Sequence, residues 1–139
     1  MKYTVLVGEV MRTVVKKLDM AEPIEKAAKI MRNEGIGSVV VIGDKNIKGI
    51  VTTTDIVYKY VADGKGKVLS DIMTKNPVSI SPEKTIEEAA RLMVQKNIEK
   101  LLVFDKNRLV GIITNNDILR VEPALFEILL EQVKINYRP

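Results

Sequence analysis

The chain has 139 residues and contains neither cysteine nor histidine, which excludes much of the usual chemistry of protein sites. Without cysteine there is no disulfide, no thiolate nucleophile and no thiolate-bound metal. Without histidine the commonest general base and a frequent metal ligand are also missing. We therefore expect no metal site, no cofactor and no activated nucleophile, and an enzyme is not the expected function class.

Aromatic residues, long apolar runs and clustered charge are scarce as well. Aromatics make up 4% of the chain, and the net charge of +4 comes from scattered basic residues. A nucleic-acid surface usually clusters its positive charge and adds aromatics, so a nucleic-acid partner is not expected. No stretch approaches the roughly 18 consecutive apolar residues of a membrane span, and no signal-peptide pattern opens the chain. We expect a cytoplasmic protein with no membrane partner.

The sequence does contain a tandem repeat. IEKAAKIMRNEGIGSVVVIGDKNIKGIVTTTDIV from Ile24 aligns without a gap on IEEAARLMVQKNIEKLLVFDKNRLVGIITNNDIL from Ile86, an offset of 62 residues. The same offset places Met11 on Met73. This pattern predicts a first repeat at 7–61, a linker at 62–67, a second repeat at 68–121 and a C-terminal amphipathic helix at 122–139.

Each repeat predicts the element order β-α-β-β-α, and hence an α+β fold. In the second copy Ile86, Ala89, Ala90 and Met93 form the i, i+3, i+4, i+7 stripe of an amphipathic helix. Thr85 and Glu88 have the spacing of a capping box at its start. Gly35 and Asn97 follow the two helices at matched positions, where both residue types suit a left-handed helix end. Two short apolar strands joined by a DKN turn come next.

The C-terminal stretch PALFEILLEQVKINY lies outside the repeat. Leu125, Phe126, Leu129, Leu130 and Val133 give it one apolar face. This face either covers its own domain or makes a contact with a partner or a second copy, and the sequence leaves both open.

The Thr-x-x-Asp sequence after the last strand of each copy has two compatible interpretations. Thr52 with Asp55, and Thr114 with Asp117, fit a capping box at the start of the second helix. Equally, a helix start and a threonine hydroxyl suit a phosphate, and a carboxylate can accept hydrogen bonds from a ribose diol. The motif is therefore a helix cap, a candidate nucleotide site, or both.

This pattern, two gapless copies ending in Gly-apolar-apolar-Thr-x-x-Asp, resembles the CBS domain, named after cystathionine β-synthase. The first copy departs from it at its initial strand and at Gly43, where the second copy has Asp105. The resemblance covers residues 7–121 and implies a pseudo-two-fold CBS pair with two clefts between the halves. It implies an adenosine ligand, AMP, ADP, ATP or an S-adenosyl compound, and a homodimer.

The resemblance also assigns site residues. The motif residues near ribose and phosphate are Thr52, Thr54 and Asp55 in one cleft and Thr114, Asn116 and Asp117 in the other. The Asp117 cleft would borrow Val15, Lys16, Ile36 and Gly37, and the Asp55 cleft would borrow Pro77, Val78, Ile98 and Glu99.

The two predicted clefts differ in charge. Lys100 matches a position that contacts phosphate in some relatives of this kind, and Ser38 replaces it in the first copy. Glu99 replaces Gly37 and would repel an anion at the Asp55 cleft. We therefore expect the phosphate-bearing ligand in the Asp117 cleft, although a solvated surface lysine is the alternative for Lys100.

The sequence favours a regulatory sensor that binds an adenine nucleotide and acts through dimer or protein-partner contacts. The alternative is a ligand-free scaffold in which the two caps are only caps. Turnover of a ligand is not expected, because the chain offers no activated nucleophile or base.

Overall fold

The structure is a computed structural model that describes residues 4–130, and it has the predicted mixture of helices and short strands. The chain divides into two compact units. We call them the Asp55 unit, residues 15–77, and the Asp117 unit, the described residues 4–14 and 78–130. The Asp55 unit therefore contains most of the first sequence repeat and the start of the second. The Asp117 unit contains the start of the first repeat and most of the second.

The Asp55 unit contains a four-stranded sheet in the order β1-β2-β3-β4. Strand β1 pairs with β2 in parallel, and the pairs β2–β3 and β3–β4 are antiparallel. Its elements are β1 Lys17–Asp19, α2 Ile24–Glu34, β2 Ser38–Gly43, β3 Asn46–Thr52, α3 Thr53–Asp55, a π-helical segment Ile56–Ala62, α4 Leu69–Ile72 and β4 Thr74–Lys75.

The Asp117 unit contains a three-stranded sheet in the order β5-β6-β7, with parallel β5–β6 and antiparallel β6–β7 pairing. Its elements are α1 Val7–Val10, β5 Ser79–Ile80, α5 Ile86–Lys96, β6 Lys100–Asp105, β7 Arg108–Thr114, α6 Asn115–Val121 and a 3-10 turn Pro123–Leu125. Residues 126–130 are helical.

The predicted capping box at the start of α5 and the predicted left-handed ends of α2 and α5 are confirmed. The backbone N–H of Glu88 donates to Thr85 Oγ1 at 3.1 Å, and that of Thr85 donates to Glu88 Oε2 at 3.4 Å. Gly35 and Asn97 end α2 and α5 with φ of 65° and 54°, the left-handed conformation that was expected.

Each unit has its own apolar core, formed by its long helix packing on its sheet. The predicted stripe Ile86, Ala89, Ala90 and Met93 is fully buried in the Asp117 unit. The corresponding stripe of α2 is buried in the Asp55 unit as Ile24, Ala27 and Met31. Burial of these stripes supplies the main drive for helix formation, since short helices are marginal alone.

The described part of the C-terminal stretch covers its own unit. Leu129 is buried in the core of the Asp117 unit, and Leu125 and Ile128 pack against that core. Phe126 remains 52% exposed. The first of the two interpretations therefore holds for Leu125 and Leu129, the exposed Phe126 leaves the second one open, and Val133 lies outside the described residues.

Candidate functional site

Both Thr-x-x-Asp motifs form complete capping boxes. The N–H of Asp117 donates to Thr114 Oγ1 at 3.2 Å, and the N–H of Thr114 donates to Asp117 Oδ2 at 3.0 Å. In the other motif the N–H of Asp55 donates to Thr52 Oγ1 at 3.2 Å, and Thr52 N–H donates to Asp55 Oδ2 at 2.9 Å. The cap interpretation is confirmed, and in each case it uses the Oδ2 atom of the aspartate.

The second carboxylate oxygen of each aspartate faces a basic side chain. Asp117 Oδ1 lies 3.1 Å from Arg12 Nε and 3.7 Å from an Arg120 guanidinium nitrogen. Asp55 Oδ1 lies 3.0 Å from Lys59 Nζ. The residues 117 and 55 are only 2% and 8% exposed. A buried carboxylate is stable only when it is paired or hydrogen-bonded, and these cations supply the pairing.

The two motifs therefore differ in local charge. One carboxylate with two guanidinium groups leaves a surplus of one positive charge at Asp117. One carboxylate with one ammonium group is balanced at Asp55. Within the described residues, the Asp117 motif is thus the more favourable of the two for an anion.

The start of β6 lies beside the Asp117 motif. Lys100 is half-buried and pairs with Thr114 across β6 and β7. The carbonyl oxygen of Glu99 accepts from the N–H of Asn115 at 3.0 Å. Asn116 is exposed, and its N–H donates to the side chain of Asn115. The structure therefore brings Glu99, Lys100 and the Asp117 motif together in one unit.

The equivalent segment of the Asp55 unit has the same geometry. Ser38 pairs with Thr52, and the carbonyl oxygen of Gly37 accepts from Thr53 N–H at 3.0 Å. Ile36 packs against the core, while Thr54 is exposed. The positions of Gly37 and Ser38 beside Thr52 mirror those of Glu99 and Lys100 beside Thr114.

The remaining predicted site residues lie around the first strand of each sheet. Val15 is half-buried, and Lys16 pairs with Glu34 at 3.0 Å while its carbonyl oxygen accepts from Val40. Pro77 ends the Asp55 unit, and Val78 begins the second segment of the Asp117 unit. Ile98 and Val78 pack against the core of the Asp117 unit. The borrowing of residues between repeats stays a prediction.

The sequence interpretation missed the three basic residues on the motif aspartates. Lys59 and Arg120 follow Asp55 and Asp117 at i+4 and i+3, a spacing that could have signalled a pair on a helix. Arg12 is separated from Asp117 by 105 positions, so local spacing could not reveal it. The repeat offset nevertheless matches Arg12 to Thr74, and thus marks it as a difference between the copies.

Two negative findings apply to residues 4–130 alone. No helix in that range is long and apolar enough to cross a bilayer. No group of three or more acidic side chains is arranged there to hold a metal ion.

Comparison with known proteins gives consistent matches over most of the chain. A protein of Methanopyrus kandleri is 39% identical over 139 residues, covering 94% of this chain and 69% of the relative. A crystal structure of a CBS domain pair in complex with 5′-methylthioadenosine and S-adenosyl-L-methionine superposes with a TM-score of 0.78. It is 28% identical and covers 84% of this chain and 98% of that one.

A second similar structure is that of a hexameric CBS-CP12 protein from bloom-forming cyanobacteria. It is 30% identical with a TM-score of 0.79, covering 91% of this chain and 72% of that chain. Some curated enzymes also match, among them an inosine-5′-monophosphate dehydrogenase of Korarchaeum cryptofilum. This chain spans only 22% of that enzyme's length.

The family comparison identifies the repeats themselves. The CBS domain matches twice in tandem, over residues 7–62 and 69–124. These matches together take in most of the chain, and the α+β fold agrees with the structures of CBS pairs. The chain therefore belongs to the CBS domain family.

Proposed function

We propose that this protein is a regulatory module that binds an adenosine compound carrying a phosphate, with Asp117 holding the ribose. AMP, ADP and ATP are the candidates for this site. The Asp55 site would be empty, weaker or occupied by a less charged adenosine derivative such as an S-adenosyl compound.

The charge difference between the two motifs carries this proposal. Arg12 and Arg120 flank the buried Asp117 carboxylate, whereas a single Lys59 balances Asp55. At the strand start beside Thr114, Lys100 adds a cation and Glu99 adds an anion, where the Asp55 unit has Ser38 and Gly37. The surplus of positive charge at Asp117 therefore comes from the two arginines. Guanidinium groups suit phosphate recognition because their planar donors match two phosphate oxygens at once.

The adenosine part of the proposal is supported by the relative in complex with 5′-methylthioadenosine and S-adenosyl-L-methionine. Both of its ligands contain a ribose diol, which a carboxylate can bind through two hydrogen bonds. Asp55 and Asp117 are the buried polar residues among those that the structure describes. Burying a carboxylate costs free energy of desolvation. The burial of both aspartates is therefore consistent with their binding the hydroxyls of a ligand.

A regulatory rather than a catalytic role follows from how these carboxylates are held. Each is engaged by a backbone N–H on one oxygen and a cation on the other. Neither is therefore presented as an unpaired general base, which acid–base catalysis at the ligand would require.

The same observation favours a second candidate function, a ligand-free scaffold. The caps and ion pairs account for every polar contact of both aspartates within the described residues. In that case Asp55 and Asp117 stabilise helix starts by about 1 kcal/mol each and bind nothing.

Thermal unfolding with added ligands separates the two functions. We expect AMP, ADP or ATP to raise the Tm, because a ligand at 100 times its Kd adds about 2.7 kcal/mol to the free energy of unfolding. Asp117→Asn, which keeps the side-chain shape but removes the charge, should abolish this shift. The matched variant Asp55→Asn should keep most of it.

Two results would contradict the proposal. If no adenosine compound raises the Tm of the natural chain, the scaffold function is favoured. If Asp55→Asn loses the shift and Asp117→Asn keeps it, the assignment of the phosphate ligand to Asp117 is wrong. Adding S-adenosylmethionine and methylthioadenosine to the series tests the less charged ligands at Asp55.

We further propose that the module acts as a homodimer, or through a protein partner. The hexameric CBS-CP12 protein is one similar protein that forms an assembly, which supports this proposal. Val57, Tyr58 and Val61 lie on the π-helical segment and are 52%, 65% and 69% exposed. An exposed apolar cluster of this kind is typical of an interaction surface.

A further inference from the structure

Arg12 is the residue that most clearly distinguishes the two motif sites within their units. It forms a bridge to Ile112 on β7, and its repeat counterpart Thr74 pairs with Ile50 on β3. The two backbones thus run in the same way beside the two motifs. Only the Asp117 unit places a long basic side chain at this position.

Gly111 allows this close approach. A Cβ atom on Gly111 would lie 2.6 Å from Met11 Sδ and 2.8 Å from the carbonyl oxygen of Arg12. Both distances are shorter than the contacts that Cβ atoms make in proteins, so a side chain at position 111 would push Met11 and Arg12 away from β7. The glycine therefore keeps Arg12 against β7 and within reach of the Asp117 carboxylate.

Arg12 also lies on the oxygen of Asp117 that the capping box does not use. Oδ2 accepts from Thr114 N–H, and Oδ1 accepts from Arg12 Nε at 3.1 Å. A diol that donates to both oxygens must share Oδ1 with this guanidinium. A ligand bound to Asp117 in this way therefore lies in contact with Arg12 or displaces it.

The guanidinium can leave the carboxylate without being stranded. The Arg12 side chain is 48% exposed, whereas Asp117 is 2% exposed. The cost of separating the pair falls on the buried carboxylate, which then needs other donors. The hydroxyls of a ribose can supply those donors, and the freed guanidinium is then available to pair with an anion of the ligand.

We propose that Arg12 determines the specificity of the Asp117 site for nucleoside phosphates over nucleosides. In the free protein Arg12 pairs with Asp117. On binding, the ribose hydroxyls replace it on Oδ1, and the guanidinium pairs with the phosphate of the same ligand. A nucleoside breaks the first pair and offers no second one, so it binds more weakly. This inference rests on the proposed function.

Calorimetric titration of AMP and adenosine tests the inference. The variant is Arg12→Thr, which introduces the residue that the other repeat has at this position. Because charge-assisted hydrogen bonds to phosphate are strong, we expect AMP affinity to fall about tenfold or more. Adenosine affinity should not fall. Arg12→Lys keeps the charge without the planar donors. Its affinity for AMP should be intermediate between those of the natural chain and Arg12→Thr.

Arg91→Thr is the matched control. Arg91 pairs with Glu87 at 2.9 Å on the exposed face of α5, so this variant also removes one arginine–carboxylate pair and one positive charge. It should leave the ratio of AMP to adenosine affinity as in the natural chain.

The outcomes separate this inference from the proposed function. If the natural chain binds AMP but Arg12→Thr does not weaken it, or weakens adenosine equally, Arg12 has only a structural role and the inference is wrong. If the natural chain binds neither AMP nor adenosine, the proposed function fails and the inference fails with it.

Discussion

At the scale of single residues, the two repeats use different residue types for the same left-handed conformation at the end of their long helices. Gly35 and Asn97 both end a long helix in the left-handed region, with φ of 65° and 54°. Apart from the adjoining backbone, no atom lies within 4 Å of the position that a Cβ on Gly35 would take. Any cost of replacing this glycine is therefore conformational and not steric.

Substitution at this position should follow backbone preference alone. We expect Gly35→Ala to lower the free energy of unfolding by about 1 kcal/mol, because alanine tolerates positive φ poorly. Gly35→Asn should lower it less, since asparagine already occupies the matched position. Urea unfolding of both variants measures the difference, and Asn97→Gly is the reciprocal control. Equal losses for alanine and asparagine at position 35 would contradict this account.

Single-residue patterns predicted these helix ends and the capping boxes of the motif aspartates, but not the ion pairs of those aspartates. Helix ends depend on local backbone conformation, which a residue type reports directly. The pair of Arg12 and Asp117 depends on a bridge between residue 12 and β7, far along the chain. Such a contact is set by tertiary packing, which one sequence does not reveal.

At the scale of elements, the long helices and the strands of the predicted β-α-β-β-α order were predictable, whereas the four-residue helices were not. The stripe that starts at Ile86 buries one face of α5, and burial of that face determines the helix. The helices α1 and α4 have only four residues each, too few for a periodic pattern. The π-helical course of Ile56–Ala62 was not expected either.

Tyr60 in this segment donates a hydrogen bond to Glu25 on α2. This bond lowers the pKa of Glu25 and raises the pKa of Tyr60.

The start of α4 gives a test of stability against pH. Asp71 accepts from the N–H groups of Lys67 and Val68 at 2.8 Å and 3.0 Å. These bonds favour the charged form and lower the pKa of Asp71 below its ordinary value of 3.8. A group whose pKa is lower in the folded state stabilises the fold above its unfolded pKa. That contribution is lost as the pH falls through the folded pKa.

Asp71→Ala should therefore be less stable than the natural chain at pH values above the ordinary aspartate pKa, and the difference should shrink as the pH falls through the folded pKa of Asp71. Thermal unfolding across this range is the measurement. Asp63→Ala, a change at an exposed aspartate after the π-helical segment, is the control for the loss of one surface carboxylate. A gap between Asp71→Ala and the natural chain that persists in acid would mean that the hydrogen bonds of the charged carboxylate are not its cause.

At the scale of the whole molecule, the repeats in the sequence and the compact units in space are different divisions of the chain. Residues 4–14 include the start of the first repeat, yet they belong with residues 78–130. The backbone bonds that fix this are Val7 N–H to the carbonyl of Lys84 and Ile86 N–H to that of Val5. Matched sequences offer matched surfaces, so the alignment alone cannot say which copy a given segment will join.

Assembly is the remaining property at this scale, and the exposed cluster of Val57, Tyr58 and Val61 offers a direct test. We expect a second copy to cover this cluster, because burial of exposed apolar area is the main drive for association. Val61→Glu should shift the protein from dimer to monomer without lowering its Tm in dilute solution, since Val61 is 69% exposed. Light scattering after size-exclusion chromatography measures the mass. Val14→Glu, the same change at a valine that is 86% exposed elsewhere, should remain a dimer. A Val61→Glu variant that stays dimeric would place the dimer contact elsewhere. A natural chain that is monomeric at every concentration would contradict the dimer and leave this face for a protein partner.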